Sequence, residues 1–167
     1  MNIVDFKTLL KNEFVFLDGA MGTMLQAKGL KMGVAPETLN IEKPEWLIDI
    51  HRQYIDAGAD IIYANTFGAN RYKLGECGYG VEEAIGAAIE NAKAARGEKD
   101  VLIALDIGPI GQLLEPAGTL SFEEAYDIFK EAVIAGKDCD VIVFETMTDL
   151  YELKAAVLAA KENSDKP

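Results

Sequence analysis

Four short apolar runs constrain the fold more than any other feature: Phe14–Leu17, Ile61–Ala64, Val101–Leu105 and Val141–Phe144. Each is rich in β-branched or aromatic residues and too short for a helix. None alternates cleanly with polar residues, which is the pattern of strands covered on both faces. Segments of helical period separate them. Pro44–Ala57 opens on a proline suited to a first helical turn and ends before Gly58. Val81–Ala95 runs towards Gly97. Ser121–Ala135 begins with Ser121 and Glu124 at capping-box spacing and stops at Gly136. Asp149–Lys161 follows the fourth run and leads into the polar tail Glu162–Pro167. The strand ends recur every roughly 40–48 residues, room for a strand, a loop, a helix and a return. No linker or low-complexity stretch interrupts the order. The expectation is an α/β fold over residues 1–167, built from four βα units with parallel strands.

Length and charge narrow the class. The chain has 167 residues, enough for a real core but fewer than the roughly 250 of a complete (β/α)8 barrel. Its 16 basic and 28 acidic residues give a formal charge of −12, which argues against nucleic acid or an anionic membrane as partner. No apolar run reaches the roughly 20 residues of a membrane span. Met1–Asn12 lacks the basic start and long apolar stretch of a signal peptide. A cytoplasmic location is expected.

In parallel α/β folds, ligands bind beyond the carboxyl ends of the strands. Here those ends are all polar: Asp18, Asn65-Thr66, Asp106 and Glu145-Thr146. Glycine-containing turns follow three of them, Gly19–Gly22, Phe67–Asn70 and Ile107–Gly111, and small residues let backbone N–H groups approach a ligand. Asp18 and Glu145 could hold an ammonium group, and the Gly19 and Ala20 amides a carboxylate, which together suit an amino acid. A strand-end acid can equally cap the next helix, as expected of Asp149, or sit in a solvated loop. His51, inside the second helical segment, reads as a packing or surface histidine and Trp46 as packing a helix on the sheet. Cys77 and Cys139 lack metal-ligand spacing. An unrelated enzyme acting through Asp106 and Glu145 would need a nucleophile or metal cluster that the sequence does not show.

Several stretches carry a family resemblance: 17–26 with its Asp18-Gly-Ala-Met-Gly22, 39–45, Ile50-His51, 57–70, 106–125 and 143–150. In that order they resemble the homocysteine S-methyltransferase domain, and within it the N-terminal module of cobalamin-dependent methionine synthases. The resemblance implies a (β/α)8 barrel of which this chain is the first half, cut before a fifth strand. It implies homocysteine as the substrate, held by Asp18, Gly19 and Ala20 of the first-strand loop, by Asn65 and Thr66, and by Glu145 at the amine. Asp106 lies at the matching third-strand end with a less defined part. It further implies zinc and cobalamin for the full-length family. The three zinc-binding cysteines belong to the other half of the barrel and are matched by neither Cys77 nor Cys139. The expectation is a homocysteine-binding half with no catalytic residue, no zinc or cobalamin of its own, and no activity alone. Its exposed strand edges should associate with a second copy or a complementary half. The alternative is a non-catalytic folding or assembly module.

Overall fold

The structure is a computed structural model that describes residues 6–167; the first five residues, part of the Met1–Asn12 segment discussed above, lie outside the described residues. The elements run α1 (Phe6–Leu9), α2 (Met21–Lys28), a 3-10 turn (Pro36–Thr38), α3 (Leu39–Glu42), α4 (Pro44–Asp56) and β1 (Ile61–Tyr63). They continue with α5 (Arg71–Gly75), α6 (Val81–Arg96), β2 (Leu102–Ile107), α7 (Phe122–Ala135), β3 (Val141–Phe144) and α8 (Leu150–Asn163).

The three strands form one parallel sheet in the order β1-β2-β3. Ile61 lies opposite Leu102, and Ala104 opposite Val141. The first expected strand, Phe14–Leu17, shrinks to a single parallel bridge between Leu17 and Ile61. Its backbone still follows β1: Asp18 N donates to Ile61 O at 3.0 Å, and Asp60 N to Phe16 O at 2.8 Å. Phe14, Phe16 and Leu17 remain 66%, 61% and 51% exposed, so little burial rewards a longer ladder there. The fold is therefore α/β with three parallel strands and a bridged fourth segment.

Period-two alternation splits the strands between two faces. Ile62, Ile103, Leu105 and Ile107 enter the main core with α6, α7 and α8. Ile61, Leu102, Ala104 and Val141 form a second cluster with Leu9. Two residues further along that second face come Asp106 and, past Val143, Glu145, so the acids stand on the side away from the main helical core. Helix ends follow the sequence. Ser121 and Glu124 make the capping box of α7. Asp149 Oδ1 accepts from Tyr151 N at 2.7 Å at the start of α8.

Two packing assignments sharpen. Trp46 packs with Leu25, Leu39, Leu47 and Ile50 between helices rather than against the sheet. His51 is completely buried, neither ring nitrogen has a hydrogen-bond partner, and burial lowers its pKa to about 4. It is a neutral packing residue. Among the described residues, four helices lie outside the helical segments expected from the sequence: α1, α2, α3 and α5. In α2, Leu25 is the buried residue, so no apolar stripe announces it. The short α5 is started by Asn70, whose Oδ1 accepts from Tyr72 N and Lys73 N.

Candidate substrate site

A cavity of about 810 Å³ opens at the carboxyl ends of the strands, within the size range of small-molecule sites. All seven residues singled out from sequence line it: Asp18, Gly19, Ala20, Asn65, Thr66, Asp106 and Glu145. Four chain segments, far apart in sequence, meet there.

Asp18 Oδ2 accepts from Tyr63 N at 3.0 Å, while its Oδ1 is buried without a partner. Asp106 is 7% exposed and its Oδ1 is likewise unpartnered. Burial raises the Asp18 pKa to about 7, with Glu145 adding repulsion. Burial raises Asp106 to about 8, reinforced by the charges of Glu145, Asp18 and Glu37. Carboxyl oxygens left unpaired in a shared pocket are expensive unless a cation or hydrogen-bond donor satisfies them. Among the described residues, Asp18 Oδ1 and Asp106 Oδ1 are the buried side-chain oxygens of the cavity left to be satisfied in this way.

Asn65 and Thr66 are anchored differently from what their position at the strand end implies. Asn65 Nδ2 donates to Pro36 O at 2.9 Å and to Asn40 Oδ1 at 3.0 Å. Asn40 Nδ2 returns a bond to Asn65 O at 2.8 Å, and Asn91 Nδ2 donates to Asn40 O at 2.9 Å. This amide network ties the 3-10 turn to the end of β1. The Thr66 hydroxyl donates to Asp106 O at 2.8 Å and accepts from Asp106 N at 3.1 Å. Thr66 thus fixes the backbone that carries Asp106.

Three further residues emerge from the geometry. Glu37 is buried at the cavity wall, its Oε1 accepting from Gly68 N at 2.6 Å. Any Cβ at position 68 would lie 2.7 Å from that oxygen, which explains the glycine. Tyr63, at the end of β1, faces the acids and has its pKa raised by burial and by Asp106, Glu145 and Asp18. Thr146 holds a positive φ of 57°, a conformation that is strained for a β-branched residue and places that strain beside Glu145. The polar dipeptide Glu145-Thr146 marked the place in sequence; nothing there marked the strain.

Residues 15–167 match the family described as homocysteine S-methyltransferase. The chain belongs to that family. Among curated relatives, the methionine synthase of Mycobacterium tuberculosis is 36% identical over 174 residues, covering 94% of this chain and 14% of the relative. The methionine synthase of Mycobacterium leprae is 35% identical over 161 residues, covering 86% and 13%. The chain therefore spans only a small part of the length of the curated relatives it matches. The solved homocysteine methyltransferase MmuM from Escherichia coli, in its metallated form, is alike in fold. It superposes with a TM-score of 0.81 at 24% identity, over 93% of this chain and 62% of that one.

The zinc implied by the resemblance does not fit the residues present. Cys139 is buried in the main core, whereas Cys77 is exposed at the cavity rim. Among the described residues no group of three or more His, Cys, Asp or Glu side chains could hold a metal ion. No helix among them is long and apolar enough to cross a membrane.

Proposed function

We propose that this chain binds homocysteine by its amino-acid end, as part of methyl transfer to the homocysteine sulfur to give methionine. The observation that carries the reading is the pair of buried, unpartnered carboxyl oxygens on Asp18 and Asp106 beside Glu145. An ammonium group would supply the missing donors and the opposite charge. Gly19 and Ala20 are exposed at the same cavity, and among the described residues no acceptor takes their amide hydrogens, which leaves them for the carboxylate. The side chain would then extend across the remaining cavity towards the methyl donor. Family membership and the methionine synthase relatives support the same substrate. Zinc, which stabilises thiolates, and cobalamin, a methyl carrier, would be supplied by parts of the parent enzyme other than these residues, and the chain by itself would be inactive.

The same reading makes the sheet a consecutive portion of a (β/α)8 barrel, supported by the parallel strand order and the likeness to MmuM. Its two flanks are apolar: Phe14, Phe16 and Leu17 beside β1, and Leu150, Val157 and Leu158 on α8. Further βα units, or a second copy, would cover them. Two free thiols and the acidic surface accord with the cytoplasm. Calorimetric titration with L-homocysteine tests the substrate. Saturable binding that weakens at least about tenfold in Glu145→Ala is expected; no saturable heat, or binding indifferent to Glu145, would overturn it. Sedimentation showing a stable monomer at high concentration would overturn the association.

A further inference from the structure

The segment that would receive the substrate carboxylate has little holding it. Asp18 is fixed by its own N–H on Ile61 O and by Tyr63 N on its carboxylate. Beyond it, Ala20 starts α2 without any side-chain cap. Among the described residues, the hydrogen bond that holds Gly19 and Ala20 comes from α4, where the Tyr54 hydroxyl donates to Ala20 O at 2.9 Å. The ring of the same tyrosine lies against Gly19 so closely that a Cβ there would stand 2.9 Å from its Cε1 and its hydroxyl oxygen. Glycine at position 19 and tyrosine at position 54 are thus one fitted contact between segments 35 residues apart in sequence.

A carbonyl pinned by a hydrogen bond fixes its whole peptide plane, because the peptide unit is rigid. The plane holding Ala20 O also carries the Met21 N–H. The plane before it, which carries the Ala20 N–H, is backed by the Tyr54 ring against Gly19, so hydroxyl and ring together fix both ends of the Ala20 residue. Tyr54 stands on a thirteen-residue helix packed against α6, a stiff support for a loop of small residues.

We propose that Tyr54 is a positioning residue for the carboxylate subsite: it aims the Gly19–Ala20 backbone amides at the substrate carboxylate without touching the substrate. This rests on the reading of those amides as the carboxylate subsite. Preorganised donors bind an anion more tightly than donors that must first be ordered, and one hydrogen bond of this kind corresponds to roughly a tenfold difference in affinity.

The test uses two ligands and two proteins in calorimetric titrations. L-Homocysteine carries the carboxylate; 3-aminopropane-1-thiol has the same ammonium and thiol without it. Tyr54→Phe keeps the ring on Gly19 and removes only the hydroxyl. Homocysteine should bind Tyr54→Phe roughly tenfold more weakly, whereas the amine should bind both proteins equally within about twofold. An equal loss for both ligands would assign Tyr54 a general structural part and overturn the proposal. So would an unchanged homocysteine affinity. If the wild-type chain does not distinguish the two ligands, the carboxylate subsite itself is wrong and the proposal falls with it. A double-mutant cycle guards against a misfolded variant: Gly19→Ala should weaken homocysteine binding far more in the wild type than in a Tyr54→Ala background. Equal effects in both backgrounds would contradict the fitted contact.

Discussion

Replacing Asp106 with asparagine should stabilise the empty chain at alkaline pH while it weakens homocysteine binding. Asp106 sits 7% exposed with an unpartnered Oδ1. Burial and the neighbouring acids raise its pKa from the ordinary 3.8 to about 8. Between those values the folded chain keeps a proton that the unfolded chain has released. Stability therefore falls as pH rises from about 4 to about 8, and flattens above. At about 1.4 kcal/mol per pH unit, that span amounts to roughly 6 kcal/mol if Asp106 carried it alone. The cavity admits water and Asp18 shares the load, so a gain of about 2–3 kcal/mol is expected for Asp106→Asn above pH 8. Near pH 4 the variant and the wild type should be almost equally stable, since the carboxyl is then neutral in the folded chain. Urea unfolding followed by circular dichroism across pH 4–9 reads the difference. His51, whose lowered pKa destabilises the fold towards acid pH, is common to both proteins and cancels. Homocysteine affinity should drop about tenfold in the variant, because the ammonium loses a charged partner. A stability difference that does not vary with pH, or one favouring the wild type at pH 9, would refute the buried-acid reasoning.

Homocysteine binding at pH 7 should release about one proton, because Asp18 and Asp106 must ionise to pair with an ammonium. Affinity should accordingly rise between pH 6 and 8, and calorimetry in two buffers of different ionisation enthalpy counts the protons; zero release would contradict the pairing. Thr146→Gly removes the strain of a positive φ at a β-branched residue and should raise stability by about 1 kcal/mol. Thermal melting reads this as a rise of a few degrees, and homocysteine should bind more weakly as the Glu145 segment loosens. Asn40→Ala leaves the Asn65 and Ala84 carbonyls without their buried donor and should cost about 2–4 kcal/mol in urea unfolding. A change within 0.5 kcal/mol would show that the amide network contributes little.

The helices most legible in sequence were those with both a periodic apolar face and terminal signals. Ser121 with Glu124 fixed the start of α7, and Asp149 that of α8. The strands at Ile61, Leu102 and Val141 were legible because buried parallel strands leave continuous β-branched runs. Phe14–Leu17 has the same composition yet forms one bridge, since strand length depends on what covers the side chains and not on propensity alone. The acids of the site were legible from their place at strand ends; that Asp106 and Glu145 share a face follows from the register pairing Asp106 with Val143, which the sequence does not display. Tyr54, Glu37 and Asn40 were not. Each lies in a helix or turn whose pattern explains it as surface or packing, and its part arises from contacts spanning 25 to 34 residues of sequence. Asn65 and Thr66 illustrate the converse, since both line the cavity while their side chains bind protein backbone.

The central claim, that a cluster of strand-end acids grips the homocysteine ammonium while the Gly19–Ala20 turn takes its carboxylate, is tested most directly by a crystal structure of the chain with L-homocysteine. The ammonium nitrogen should lie within hydrogen-bond distance of Asp18 Oδ1 and of Asp106 or Glu145, with the carboxylate on the Gly19 and Ala20 amides. An amino acid bound in the reverse sense, or outside this cavity, would contradict it.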